Sequence, residues 1–442
     1  MSKLIKEDID KFFIEQFQAF ENSLNGESKK PLHAERKTAI DKFKTAGFPH
    51  AKDEEYKYSN IAKTFGRLFS LDNMSDGAFS LSIDEASKYF IPELDAIRLV
   101  FVNGVLDANL SDDFSSLPKG VHIQPIKIAA DDYAEDFEKH FNKHEIEGAD
   151  NFTDLNTAFT NGGVFVKIDK SVVAEKSIAC YYFNDAKNAD IVSQPRNLVI
   201  AEKNSQASVI ESYITLGEHA SFTNAVTEIV VEDDAIFDYY KYQNESDKAI
   251  QVGTTMVHQL GKSVFNGVTL SLNGAMLRNN LNIAVHKEHS ETNMYGLYLL
   301  DGNTHVDNHT VVDHKVPNCE SNEMYKGILD GKSRGVFNGK IFVRQDAQKT
   351  NAFQSNRNVV LSDDAEVDTK PQLEIWADDV QCSHGCTVGQ LDADQLFYLR
   401  ARGIDKKTAK SILLNAFASD VLSNIKIEAF RTLMENKIHE RL

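Results

Sequence analysis

A mainly β protein, coiled as a parallel β-helix and flanked by N-terminal and C-terminal α-helical regions, is what this sequence predicts. Three observations carry it. From about Gly163 the chain breaks into short β-rich runs separated by small polar turns: VFVKI, SIACYYF, NLVIAE, ASVIESYI, TEIVVE, AIFDYYKY, SVFNGVTLSL, KIFVR, NVVLS and QLEIWA. A phrase recurs among them (strand, acidic or Asn turn, Ala, strand) as VVEDDAIF, LSLNGAML and VLSDDAEV. Such self-similarity at loose intervals marks a solenoid whose turns stack on one another. The flanks, by contrast, carry apolar residues at helical spacing. A β-sandwich also uses many short strands and is the competing architecture.

Bulk composition sets the limits. At 442 residues the chain exceeds one compact core, so two or three regions or one long repetitive one are expected. With 48 basic against 66 acidic residues, the net charge of −18 argues against broad binding to nucleic acid or anionic membranes. No stretch approaches the roughly 18 apolar residues of a membrane span, and the charged N-terminus MSKLIKEDIDKFF carries no export signal, so a cytoplasmic protein is expected. The four cysteines, 180, 319, 382 and 386, form no disulfide framework and suit a reducing compartment.

The expected division is a mostly helical region over 1–95, a β-helix core over 96–390 with a mixed lead-in to about 160, and a helical region over 391–442. Lys6 to Asn25 places Ile9, Phe12, Phe13, Phe17 and Phe20 on one helical stripe. A second helix starts near Leu32 and stops at Gly47 and Pro49. The cluster Asp53, Glu54, Glu55 with Tyr56, Lys57 and Tyr58 reads as a solvated helix start. Arg98 to Asn103 is a buried strand turning through Asn103-Gly104 into Val105, and Asp131 to Glu147 is a charged surface helix. At the far end, Asp392 with Gln395 forms a capping-box-like start and Gly403 a stop. Asp405 caps the next helix, with Ile412, Leu413, Ala416 and Phe417 expected on one face. The last helix aligns Ile427, Phe430, Met434 and Ile438. These helices are expected to pack on the solenoid or to offer a groove to a partner.

Chemistry concentrates in Lys370 to Asp392, KPQLEIWADDVQCSHGCTVGQLD. If the segment is extended from Leu373, then Asp378, Val380, Cys382, His384 and Cys386 share one face. Two thiols flanking an imidazole are soft ligands suited to zinc, Cu(I) or iron–sulfur chemistry. Neighbours two apart on a strand nevertheless stand about 7 Å from each other, whereas a metal needs its ligands within about 2.3 Å. One strand therefore needs a second strand, a bend or another chain to complete a site. The same spacing, about 13 Å from Cys382 to Cys386, disfavours a disulfide between them.

Other motifs fall away. GILDGKS, from Gly327 to Ser333, has three residues between its glycines where a phosphate loop needs four, and strand-like flanks. His305, Asp307 and His309 share a strand face with His314 nearby, which suits a hydrogen-bonded ladder between stacked turns better than a metal site. LFYLRARGIDKKTAKSI pairs helices around a glycine as DNA-binding hairpins do, but no wider basic stripe surrounds it.

The stretch KPQLEIWADDVQCSHGCTVGQLDADQLFYLRARGI, with GKIFVRQDAQKTNAFQSNRNVVLSDDAEVDTKP before it, resembles the SufB/SufD family of the Suf iron–sulfur cluster assembly machinery, and its SufD branch in particular. The likeness continues in PNCESNEMYKGILDGKSRGVFNGKI and more weakly at Pro49 with DEEYKYS; residues from about 150 to 300 match in texture only. The resemblance implies a right-handed parallel β-helix. It also implies a non-catalytic scaffold that pairs with SufB through the β-helix and binds the SufC ATPase through the C-terminal helices. His384 is then implied at the SufB interface, in contact with the nascent cluster or with entering iron as a metal ligand, with Cys382 beside it. Family members commonly carry a small residue where this chain has Cys386, which is either an added ligand or a small packed side chain. No tightly bound cofactor is expected in the isolated chain, only a transient cluster or iron at the interface, and the isolated chain is a candidate homodimer. The alternative class is a carbohydrate-active β-helix enzyme using Asp301, Asp307 and Asp313 in a groove.

Overall fold

The computed structural model describes residues 4–24, 27–50, 52–70, 81–143 and 150–441. Two ten-stranded sheets face each other along the molecule. Sheet one runs from Val105–Leu106 at one edge to Gln381–Gly389 at the other, and sheet two from Val121–Pro125 to Glu366–Ile375. The chain alternates between them, so each turn of the coil adds one strand to each sheet. Along sheet one, Ile236, Val264, Glu291, Glu320, Asn351 and Gln381 form one column, in steps of 27 to 31 residues. Those ladders are parallel, which excludes the sandwich and confirms the β-helix. Among the described residues only the lead-in pairs, Ala96–Val102 with Val105–Leu106 and Val121–Pro125 with Val164–Ile168, are antiparallel.

Both faces of most strands are covered, which is why they read as continuous apolar runs rather than alternating ones. The lumen between the sheets holds Phe101, Tyr182, Tyr213, Tyr239, Phe265 and Phe337. Sheet two is covered outside by the helices Lys6–Ser23, Pro31–Ala46, Ile61–Leu68 and Asn151–Ala158. There Phe13 meets the rings of Phe43, Phe48, Phe65, Phe159 and Phe222 at 5.5 to 6.5 Å between centroids. Each such buried ring contributes about 1.5–3 kcal/mol. Sheet one is covered by Lys406–Leu422 and Glu428–Arg441, which bring Leu414, Phe430 and Met434 onto Tyr240, Leu270 and Ile328.

The terminators act as their chemistry predicts. Gly47 ends its helix at φ +63, and Asn103-Gly104, at φ +50 and +84, turns the first hairpin. Asp392 and Asp405 each accept two backbone N–H groups at their helix starts. In the recurring phrase, Asp234 takes the left-handed corner at φ +57 and Ala235 is fully buried behind it.

Three expectations need correction. Where one surface helix is expected from Asp131 to Glu147, the chain forms Ile126–Asp132 and Ala134–His140, broken at Tyr133 (φ −119, ψ 42) and burying Phe137 and His140; residues 144–149 lie outside the described residues, as does the expected helix end at Asn25. On Lys406–Leu422 the buried stripe is Ala409, Leu414, Ala418, Val421 and Leu422, so Ile412 and Ala416 face outward. The helix is apolar on several sides, and packing on the sheet selects one of them. Finally, the acidic cluster at 53–56 is solvated only at Asp53 and Glu54, whereas Glu55 is half-buried and Tyr56 buried. It is a short 3₁₀ turn, Glu54–Tyr56, pinned to the outer face of sheet two: Glu55 meets Lys340 and His309, Glu54 meets Lys370, and Arg278 donates to the Glu55 carbonyl at 2.8 Å.

Candidate functional site

Among the described residues, nothing pairs with the outer edge of the last turn of the solenoid. Glu366–Ile375 and Gln381–Gly389 each pair with a preceding strand on one side only, Arg334–Val343 and Asn351–Val360 respectively. Their other edges present two rows of unpaired backbone N–H and C=O groups, the arrangement that templates pairing with another strand. Residues 376–380 form the corner between them, so Asp378 and Val380 do not share a strand face with the cysteines, contrary to expectation. A sharp bend between two sheets leaves no periodicity signal distinct from a continuous strand.

Cys382, His384 and Cys386 do share a face. In register they stand on Ala352, Gln354 and Asn356, all buried, so all three side chains belong to lumen columns. Since no further rung covers them, His384 and Cys386 are exposed, whereas Cys382 is half-buried against Ile341, Val343 and Ala352. Burial pushes the Cys382 thiol up from its ordinary value. All four cysteines are free thiols, and among the described residues no three His, Cys, Asp or Glu side chains converge on a metal position. The end rung thus offers ligand types in a row, too far apart to close a site by themselves. Trp376, the only tryptophan, is half-exposed on the corner, stacked on Phe342 with Arg344 over both rings.

The other candidates are structural. Asp307 is buried and takes Arg278 Nη1 at 2.7 Å and Ser59 Oγ at 2.5 Å, while His309 Nε2 lies 3.0 Å from its other oxygen. Burial alone would raise the Asp307 carboxyl; the Arg278 charge, then His309, overrides it and holds it well below the usual range. His305, whose Nε2 is 2.9 Å from Ser59 Oγ, is pushed down to about 4 by burial. The polar ladder is therefore real, but its rungs reach the N-terminal segment as well as neighbouring turns. Asp313 is buried and held by Arg344 at 2.7 Å, and Asp301 sits exposed at a corner. Of the three carboxylates of the enzyme alternative, Asp307 and Asp313 pair with different arginines and Asp301 accepts from the Gly302 backbone N–H. GILDGKS is the end of one strand and a turn through Gly331 at φ +64, with no helix following.

Two features escape a sequence reading. Beneath His384 lies Gln354, and beneath that Glu323, a buried polar column visible only when residues about 30 apart are stacked. On the C-terminal helices, Phe397 (73% exposed), Tyr398 (58%) and Ile412 (43%) are each turned outward.

Comparison with known proteins gives this geometry its context. Residues 182–417 match the family described as SUF system FeS cluster assembly, SufBD core domain, and residues 7–180 match the SufBD protein N-terminal region. The chain belongs to the SufBD family. A Synechocystis iron–sulfur cluster assembly SufBD family protein is 31% identical, covering 97% of this chain and 95% of the relative. The iron–sulfur cluster assembly proteins SufD of Escherichia coli (28% identical, 90% of each chain) and of Bacillus subtilis (27%, 89% of this chain and 90% of the relative) align over nearly the same length. The two matched regions meet inside the strand Ser177–Asp185, so their junction is not a structural boundary. Iron–sulfur cluster assembly is the process this family serves, and the SufD relatives agree with the resemblance read from the CSHG stretch. Among the described residues no helix is long and apolar enough to cross a membrane.

Proposed function

We propose that this chain is a non-catalytic scaffold subunit of a cytoplasmic cluster assembly complex. It pairs with a SufB-like protein through the open end of the solenoid and binds a SufC-like ATPase through its C-terminal helices. The observation that carries the reading is the uncapped end rung: two adjacent edge strands whose lumen face bears Cys382, His384 and Cys386. A partner's strands stacked there would satisfy the free backbone groups and bring the missing ligands to within reach of His384. In the isolated chain a second copy is the available partner, which gives a homodimer. The cluster is cargo, formed transiently at the interface, with His384 as the ligand or iron-entry residue and Cys382 beside it. Cys386 is exposed rather than packed and stands on Asn356, whose amide is already fully hydrogen-bonded, so we assign it no ligand role.

The second surface carries the exposed Phe397, Tyr398 and Ile412, which suit a helix-docking partner. Nucleotide hydrolysis is assigned to that partner, since GILDGKS is a solenoid corner. The test is co-purification with SufB-like and SufC-like partners, followed by anaerobic reconstitution with iron and sulfide quantified. His384→Ala is expected to keep the complex and lose most of the cluster, with Cys386→Ala close to wild type. Full yield from both variants removes the site.

A further inference from the structure

Three of the lumen columns that reach the open end carry Cys382, His384 and Cys386, and they end differently. Cys382 stands on Ala352, within an apolar cluster. Cys386 stands on Asn356, whose amide is fully committed: Nδ2 donates to Tyr298 Oη at 3.1 Å and to the Tyr325 carbonyl at 3.2 Å, and Oδ1 accepts from Asn358 Nδ2 at 2.7 Å. His384 stands on Gln354, and Gln354 on Glu323. Gln354 Nε2 donates to Glu323 Oε2 at 2.7 Å, while Gln354 Oε1 has no partner among the described residues although the residue is only 3% exposed. A planar amide with its nitrogen committed to the rung below turns its oxygen away from that rung. Gly339, on the facing sheet, makes the room: a Cβ there would lie 2.2 Å from Gln354 Nε2. Buried acceptors usually have a donor, and this one lies one rung below the open end, directly under His384, where a donor is at hand.

We propose that Gln354 is the positioning residue for His384: when a partner covers the end rung, an imidazole N–H of His384 donates to Gln354 Oε1. That bond fixes the tautomer and turns the other ring nitrogen toward the interface, as outer hydrogen bonds do for metal-binding histidines. The reach is ordinary for this sheet. Adjacent rungs are about 4.8 Å apart, and column neighbours bond across that gap elsewhere, as Asn293 does to Asn266 (3.0 Å) and Asn322 to Asn293 (3.2 Å). Glu323 holds the Gln354 amide in this sense, and it is itself buried at 4% exposure. The inference rests on the reading that the end rung docks on a partner.

The test uses the full chain with ¹⁵N-labelled histidine, bound to its SufB-like partner, with the His384 signals assigned from His384→Ala. Wild type is expected to show one protonated and one unprotonated ring nitrogen at His384. In Gln354→Met those shifts average between tautomers and cluster yield falls about tenfold. Glu323→Gln, which leaves Gln354 in place but frees its amide to turn over, is expected to average the shifts as well, and it serves if Gln354→Met fails to fold. His384 shifts identical to wild type in both variants overturn the proposal, as does failure to form a complex. A normal cluster yield from His384→Ala would instead sink the functional reading, while averaged shifts in Gln354→Met would still uphold the positioning role.

Discussion

Asp307→Asn separates a structural carboxylate from a catalytic one. The side chain is 1% exposed and pairs at 2.7 Å with Arg278, which is itself 3% exposed at its side chain. Removing one member of a buried ion pair strands the other and costs about 3–5 kcal/mol. Asparagine keeps an acceptor for Ser59 and for Arg278 and loses mainly the charge, so the loss belongs near the lower end, about 3 kcal/mol. Because Arg278 also holds the Glu55 carbonyl and Ser59 belongs to the same segment, the cost is expected to fall on the docking of residues 53–59. Urea unfolding would measure the total, and limited proteolysis would show early cleavage in that segment. Arg278→Met combined with Asp307→Leu, which removes both charges, is expected to recover most of the loss. An Asp307→Asn chain as stable and as protease-resistant as wild type would refute the reasoning, and polysaccharide cleavage that vanishes in this variant would replace it with the enzyme alternative.

Two further outcomes concern Glu55 and Phe397. The hydrogen bond to His309 lowers Glu55, burial opposes it, and Lys340 assists, leaving the carboxyl at about 2 against an ordinary 4.5. Its contribution is therefore present above about pH 4.5 and lost as pH falls through 2; with the side chain 39% exposed, screening reduces it to about 1 kcal/mol. Glu55→Gln should be less stable than wild type at pH 7 and nearly equal to it at pH 2, and a gap that does not narrow would contradict the assignment. On the C-terminal helices, Phe397→Asp should leave unfolding within about 0.5 kcal/mol of wild type, because the ring packs on little. Affinity for a SufC-like ATPase, measured by calorimetry, should drop at least about tenfold, or about 1.4 kcal/mol; undiminished binding would move the docking surface elsewhere.

Much of the architecture was legible because its signals are local. Asn103-Gly104, Gly47, Asp392 and Asp405 each act within a few residues of where they stand, and the coil announces itself through a recurring corner. What escaped reading is non-local. Glu55 meets Lys340 across 285 residues, and no pattern within DEEYKYS marks that contact. The Lys406–Leu422 helix has apolar residues on several faces, so only the sheet it packs against decides that Leu414 goes in and Ile412 stays out. At the candidate site, the shared face of Cys382, His384 and Cys386 was readable from period two alone. The bend at 376–380, which removes Asp378 and Val380 from it, and the Gln354–Glu323 column beneath His384 require the register of stacked turns.

Hydrogen–deuterium exchange on the full chain, with and without a SufB-like partner, tests the central claim most directly. If the open rung is the docking surface, protection on binding will concentrate in Glu366–Ile375 and Gln381–Gly389, whose outer edges are unpaired here. Protection that leaves both strands unchanged and appears instead on the helical faces would contradict it.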